Sequence, residues 1–214
     1  MITKLKNNLE KDLPGIKSWK RMAVKSEEGE SIESESLEKY ERILSKEKLI
    51  SMKKAAVLLA LFKKGKEWYF PLIRRPMHER NHPGQIALPG GAKEKDEELD
   101  YTAVREAFEE IGIEAQSVEI IGQLTPLPVP VSGYLIYPFI GILKKEPKWI
   151  LNESEVDELI ITKVSELIDE ANYYSETWQL HGKNVKVPHF RINNKVIWGA
   201  TASVLNEFID LTKN

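Results

Sequence analysis

The sequence predicts an α/β fold, a mixed sandwich, and three observations point that way. Continuous apolar runs of strand length, such as "AAVLLALF" at 55–62, stand among charged neighbours. Two segments, 99–111 and 201–211, carry apolar residues at helical spacing. Strand-like and helix-like segments do not alternate regularly, which favours a mixed sheet flanked by helices over a doubly wound parallel sheet.

Taken in order, the chain starts with Ile2, Leu5 and Leu9 at helical spacing before "DLPG" breaks the pattern. Residues 26–36 are acidic and serine-rich, the composition of a mobile, solvated loop, and 37–44 reads as a short amphipathic helix. Residues 1–50 therefore form a helical and acidic extension, and 51–214 form the main domain. In that domain the run at 55–62 and "GKEWYFPLIRR" after Gly65 predict a hairpin. Residues 99–111 predict the strongest helix, with Asp100 as its N-cap, Gly112 just past its end, and Val104, Phe108 and Ile111 joining Ala103 and Ala107 in a buried stripe. Strands are predicted at 118–124, 135–143, 156–162 and 185–192, a short helix at 164–171, and a terminal helix at 201–211 with Ala202, Leu205 and Ile209 inward.

Composition narrows the function classes. The 214 residues are 42% hydrophobic with a formal charge of −2, which argues against broad nucleic-acid or membrane-surface binding. The absence of cysteine excludes disulfides, thiolate catalysis and zinc–thiolate sites. No apolar run approaches the roughly 20 residues of a membrane span, and the charged start lacks the apolar core of a signal peptide. Cytoplasmic residence is the expectation.

The chemistry concentrates in "GGAKEKDEELDYTAVREAFEEIGI", 90–113. On a helix Glu106, Glu109 and Glu110 stand at i, i+3 and i+4, where their charges repel one another. They also occupy the last turns, where the helix dipole disfavours anions. A solvated acidic face is one reading. Occupation by hard divalent cations is the other, and oxygen-only ligands select Mg²⁺ or Mn²⁺. Arg105 projects to a neighbouring face, where Glu97 of the preceding loop is within reach. Gly90 and Gly91 permit a tight turn and close approach to a ligand, and a carbonyl there, at Gly90, supplies a further metal oxygen.

Gly91, Glu97 and "REAFEEIGI" from Arg105 to Ile113 have five and seven residues between them. This spacing resembles the Nudix box, G-x5-E-x7-R-E-U-x-E-E-x-G-U, with U aliphatic; Ala107 is the weakest match. The resemblance implies a Nudix α/β/α sandwich with a mixed sheet, its box a loop–helix–loop, so that 51–214 would be a Nudix hydrolase domain. It further implies hydrolysis of a nucleoside diphosphate linked to another moiety, with Glu106, Glu109, Glu110, Arg105 and Glu97 as the catalytic set.

Outside the box, "PLIRRPMHERNHPGQIALPGG" resembles the additional signature of coenzyme A pyrophosphatases within that family, with Leu88 where phenylalanine is usual. "VSGYLIYPF", "NESEV" and "WGATASVL" resemble further segments of the subfamily. The implied substrate is coenzyme A, cleaved to 3′,5′-ADP and 4′-phosphopantetheine, with Mg²⁺ or Mn²⁺ as cofactor and a homodimer as the plausible assembly. Arg74, Arg75, Arg80, His82, Ser132 and Gly133 are the candidate substrate-binding residues. Glu155 joins Glu106, Glu109, Glu110 and Gly90 as a candidate metal ligand, and Glu106 and Glu155 are both candidates for the general base. The alternatives are another nucleoside diphosphate derivative as substrate, or a Nudix fold used only to bind a ligand.

Overall fold

The run at 55–62 lies within β2 (Lys53–Lys64), the strand around which the protein is organised. A computed structural model describes residues 1–26, 45–79, 82–180 and 182–213. The loop and helix expected within 27–44, together with Arg80 and His181, lie outside the described residues. Side chains of a strand alternate between its two faces, and on β2 both faces are buried. Leu58, Ala60 and Phe62 enter one apolar core, whereas Leu59 and Leu61 enter another. Two cores on one strand require a layer on each side of the sheet. Burying a residue such as Phe62 or Leu59 contributes roughly 1.5–3 kcal/mol, so a one-residue slip of register would disrupt both layers at once.

The sheet is mixed. β2 forms a hairpin with β3 (Glu67–Arg74) and pairs in parallel with β8 (Tyr134–Leu143) along residues 53–61. The remaining partners are antiparallel: β4 (Ile86–Ala87) and β9 (Glu158–Lys163) on β3, β5 (Gly90–Ala92) on β2, and β6 (Val118–Gln123) and β7 (Leu127–Val129) on β8. One face is covered by α4 (Leu99–Ile111), through Ala103, Ala107 and Ile111. The other is covered by α1 (Ile2–Leu9) and α6 (Gly199–Lys213), with Leu5, Trp19 and Met22 buried beside Leu205 and Phe208. The segment 1–26 thus shares its core with the rest of the chain. Two short helices, α2 (Ile16–Trp19) and α3 (Lys46–Ser51), precede β2, and α5 (Val164–Ile168) follows β9.

A second sheet joins β1 (Lys25–Ser26), β11 (Lys183–Ile192), β10 (Tyr173–Leu180) and β12 (Lys195–Trp198), all antiparallel. Ser26, expected at the start of the mobile loop, instead ends β1 opposite Val185. The helix expected over 164–171 stops at Ile168 and resumes as a single tight turn, Glu170–Asn172, capped by the Asp169 carboxylate. No helix among the described residues is long and apolar enough to cross a membrane.

Candidate active site

α4 spans the range its periodicity predicts, but its rotation about the axis differs. The inward stripe is Ala103, Ala107, Glu110 and Ile111, while Phe108 turns out to solvent at 55% exposure. With Ala103, Ala107 and Ile111 against the sheet, Phe108 falls off the inward stripe. The N-cap position falls on Glu98 rather than Asp100, with Asp100 inside the first turn facing the positive end of the helix dipole. Gly112 takes the left-handed conformation at φ 76° and closes the helix, with Ile113 N–H returning to Ala107 O at 3.2 Å.

The inward rotation puts a carboxylate where an apolar side chain would pack. Glu110 is 4% exposed, and one of its oxygens accepts a 2.9 Å hydrogen bond from Gly90 N–H. One turn back, Glu106 points the same way. The third member comes from far along the chain. Ile150 N–H bonds Ile111 O at 3.2 Å and Asn152 N–H bonds Glu110 O at 3.0 Å, satisfying carbonyls that the end of α4 leaves open. That seating carries the turn "NESEV" to the site, where Asn152 Nδ2 donates to Glu155 Oε1 at 3.0 Å. The result is a group of Glu106, Glu110 and Glu155 offering oxygens within 4.8 Å of one another. Glu155 therefore stands in a turn before β9 and not on a strand edge. Glu158, at the start of β9, is engaged by Arg74 Nη2 at 3.2 Å and Lys195 Nζ at 2.7 Å.

Gly90 has no room for a side chain, and a side chain on Gly91 would displace a member of the group. A Cβ on Gly90 would collide with the Ala56 carbonyl oxygen and Val57 Cα, because β5 presses against β2 there. A Cβ on Gly91 would lie 2.5 Å from the Glu106 carboxylate. Beside the group, Arg105 donates from Nε to Glu97 at 2.6 Å, from Nη1 to Glu109 at 2.8 Å and from Nη2 to the Ala92 carbonyl at 3.3 Å. Glu97 also accepts from Thr102 Oγ1 at 2.7 Å and Glu94 N–H at 3.2 Å, so the loop before α4 is clamped to the helix. Glu109, 46% exposed, stays with Arg105 and outside the carboxylate group.

Electrostatics separates these acids. The hydrogen bond from Arg105, helped by Thr102 and the Glu94 N–H, holds Glu97 at about 2. Burial pushes Glu110 up to about 8, against the opposing Gly90 hydrogen bond and with further upward pressure from Glu106 and Glu155. Burial raises Glu106 as well, despite Arg105. Three convergent carboxylates, one almost wholly buried, form an oxygen donor set with surplus negative charge. That set fits a hard divalent cation, and a protein without one holds protons there instead.

A cleft of about 390 Å³ opens beside this group, with Gly90 and Gly91 in its wall. Arg75, His82 and Ser132 line it; Arg74 and Gly133 do not. Arg75 bonds Glu79 through Nη2, while its buried Nε has no partner among the described residues. His82 adopts a left-handed backbone (φ 58°) in the turn between β3 and β4. Ser132 Oγ donates to Val129 O at 3.2 Å within the β7–β8 turn. Trp198, which is not among the residues the sequence singles out, also lines the cleft. Its place at the junction of β12 and α6, beside "GATASV", was the available signal.

Residues 52–180 match the NUDIX domain. The chain is 36% identical over 154 residues to an uncharacterized Nudix hydrolase, NudL, of Photorhabdus laumondii, covering 72% of this chain and 81% of that one. It is 33% identical over 160 residues to a NudL from an Enterobacter species, covering 74% and 82%. Among solved structures, it resembles the Nudix hydrolase RenU of M. smegmatis with a TM-score of 0.51 at 18% identity, over 76% of this chain and 86% of that one. It resembles a C. elegans Ap4A hydrolase with a TM-score of 0.51 at 16% identity, over 75% and 98%. At such identities the structures establish the shared fold, a mixed α/β sandwich. With the box residues gathered at the end of α4 and the domain match spanning more than half its length, the chain belongs to the Nudix family of hydrolases.

Proposed function

We propose that the protein hydrolyses the diphosphate of coenzyme A, or of its derivatives, with Mg²⁺ or Mn²⁺, yielding 3′,5′-ADP and 4′-phosphopantetheine. One observation supports this reading most: Gly90 and Gly91, which touch Glu110 and Glu106, line the same cleft as Arg75, His82 and Ser132 of the segments resembling the coenzyme A pyrophosphatase signature. Glu106, Glu110 and Glu155 would hold the cation, with the Gly90 carbonyl as a further oxygen. When bound, it would supply charge neutralisation of the diphosphate and activation of a water.

The chain's own groups do the rest. Arg75, which lines the cleft, donates from its guanidinium to the diphosphate oxygens and orients them. His82 and Ser132 offer further donors along the same wall. Water attacks one phosphorus in line with the bridging oxygen, which leaves with the other phosphate. A carboxylate, Glu155 or Glu106, takes the water's proton at a side-chain oxygen. Glu97 stays ionised and fixes Arg105, so the loop that carries Gly90 and Gly91 keeps its distance from α4. Glu109 contributes by balancing the Arg105 charge.

The test is a panel of coenzyme A, nucleotide sugars, dinucleoside polyphosphates and nucleoside triphosphates, with Mg²⁺ and with Mn²⁺, scored for 3′,5′-ADP. Preferential turnover of coenzyme A supports the assignment. Equal turnover of a nucleotide sugar defeats it.

A further inference from the structure

One residue of the turn "NESEV" touches two of the three convergent acids. Asn152 N–H is seated on the Glu110 carbonyl at 3.0 Å, and its own carbonyl accepts from Glu155 N–H and Val156 N–H, both at 2.9 Å. Val156 is 2% exposed and belongs to the core beneath α4, so the far end of the turn is pinned as well. The backbone thereby brings Glu155 to the group. It does not aim the carboxylate. A glutamate side chain has three rotatable bonds, and Glu155 is exposed, so main-chain bonds leave open which rotamer meets Glu106 and Glu110.

The Asn152 side chain supplies the aim. Its Nδ2 donates to Glu155 Oε1 at 3.0 Å, the one hydrogen bond that this carboxylate makes among the described residues. On the other side of the amide, Oδ1 accepts from Ser154 Oγ at 2.6 Å and from Ser154 N–H at 3.2 Å. Two donors on Oδ1 fix which way round the amide lies. Turned over, its NH₂ would face both Ser154 donors and its oxygen would face a carboxylate. A carboxylate that accepts one hydrogen bond keeps lone pairs for other partners, so this donor steadies Glu155 and leaves it able to give an oxygen to a cation. The amide also carries no net charge. A lysine or arginine at this place would hold the acid too, but its own positive charge would oppose the cation.

We propose that Asn152 is a positioning residue: its side-chain amide turns the Glu155 carboxylate toward Glu106 and Glu110, and so fixes the third oxygen donor for the divalent cation. The proposal rests on the cation reading above and is independent of which organic substrate is cleaved.

The experiment measures Mn²⁺ binding without substrate, through the EPR signal of the free ion, for the parent, Asn152→Asp, Glu155→Ala and the double variant. Asn152→Asp keeps an oxygen for Ser154 and the backbone bonds of the turn, but sets an acceptor against Glu155 where a donor stood. Although it adds a negative charge, it should weaken Mn²⁺ binding about ten-fold, as loss of a group that orients a metal ligand does. The melting temperature in EDTA should not change. In the Glu155→Ala background the same substitution should weaken binding no further, because Asn152 acts through that carboxylate. Equal weakening in both backgrounds, or unchanged or tighter binding by Asn152→Asp, overturns the proposal. Should Asn152→Asp fail to fold, Ser154→Ala decides, since it removes one donor from Oδ1 at an exposed position. About three-fold weaker binding is expected there, and only while Glu155 is present; unchanged binding overturns the proposal. Glu110→Gln separates the two levels. Binding weakened by Glu110→Gln but not by Asn152→Asp removes the Asn152 assignment alone, whereas binding indifferent to Glu110→Gln defeats the cation reading and the proposal with it.

Discussion

Two buried glutamates, on helices covering opposite faces of the sheet, show how burial alone fails to define a role. Glu207 on α6 has no exposed surface and Glu110 on α4 is 4% exposed. Burial raises the proton affinity of both. Their partners differ. Glu207 is ringed by donors: Gly15 N–H at 3.1 Å, Trp19 Nε1 at 3.3 Å, and Thr125 through Oγ1 at 2.5 Å and N–H at 3.4 Å. Those bonds join segment 1–26, the turn after β6 and α6. Glu110 receives one backbone donor and faces two other carboxylates. A carboxylate among donors is a fastener, whereas three together call for more positive charge than Arg105, paired with Glu106 at 3.0 Å, supplies.

Substitutions at these two residues should therefore fail in different ways. The largest effect is expected for Glu110→Gln, which should lower kcat about 10³-fold. Its melting temperature without metal should match the parent's near neutral pH, where burial keeps the Glu110 carboxyl protonated, and exceed it above about pH 8, where the parent must bury a charge. A drop in melting temperature that accounts for the lost activity would make Glu110 a fastener too. Next comes Glu207→Ala, which strands several buried donors and should cost about 3 kcal/mol, or roughly 10 °C in melting temperature, with kcat of the folded fraction unchanged. Unaltered stability there would break the comparison from the other side.

A smaller effect separates the two by pH. Glu110 folded titrates near 8 against an ordinary carboxylate near 4.5, so the folded form favours the protonated state. Its stabilisation is complete below the unfolded value and is lost as pH rises toward 8. In EDTA the melting temperature should fall between pH 5 and pH 9, and Mg²⁺ should remove the Glu110 share of that fall, leaving any share from Glu207. An identical pH profile with and without Mg²⁺ would deny the cluster its cation. The mildest change is expected for Glu109→Gln, about ten-fold in kcat or less, because Glu109 answers to Arg105 on the outer side of the helix. A loss equal to that of Glu110→Gln would show that Glu109 swings inward to join the group.

The sequence announces most of this architecture where one residue's surroundings are set by its near neighbours. The range of α4, the left-handed Gly112, the hairpin of β2 with β3 and the inward Ala202, Leu205 and Ile209 are all local matters of periodicity and turn chemistry. What it hides depends on distant contacts. Phe108 had the spacing of a core residue, yet the sheet takes the stripe of Ala103, Ala107 and Ile111 and leaves it exposed. β10, "YYSETWQL", was not anticipated because its small polar residues mask an alternation whose inward members, Tyr174, Glu176 and Trp178, meet His189 and Arg191 of the next strand. The carboxylates of one helix are visible as a motif. Glu155 was nameable as a ligand only beside the resemblance of "NESEV", and its arrival in the group depends on two backbone bonds to the end of α4, which the spacing of the box does not encode.

Those two bonds have a consequence for how such a centre can vary among proteins. The position of Glu155 is written by main-chain groups of 150 and 152 seated on the helix end, whatever the chain does on its way there from β8. Residues 145–148, between the Lys144 bond to Ser117 and the Trp149 ring packed on Phe62, can therefore lengthen or shorten without displacing the acid. In an aligned family the third oxygen donor would drift in sequence distance from the box while staying fixed in space, and a search for it at constant spacing would miss it.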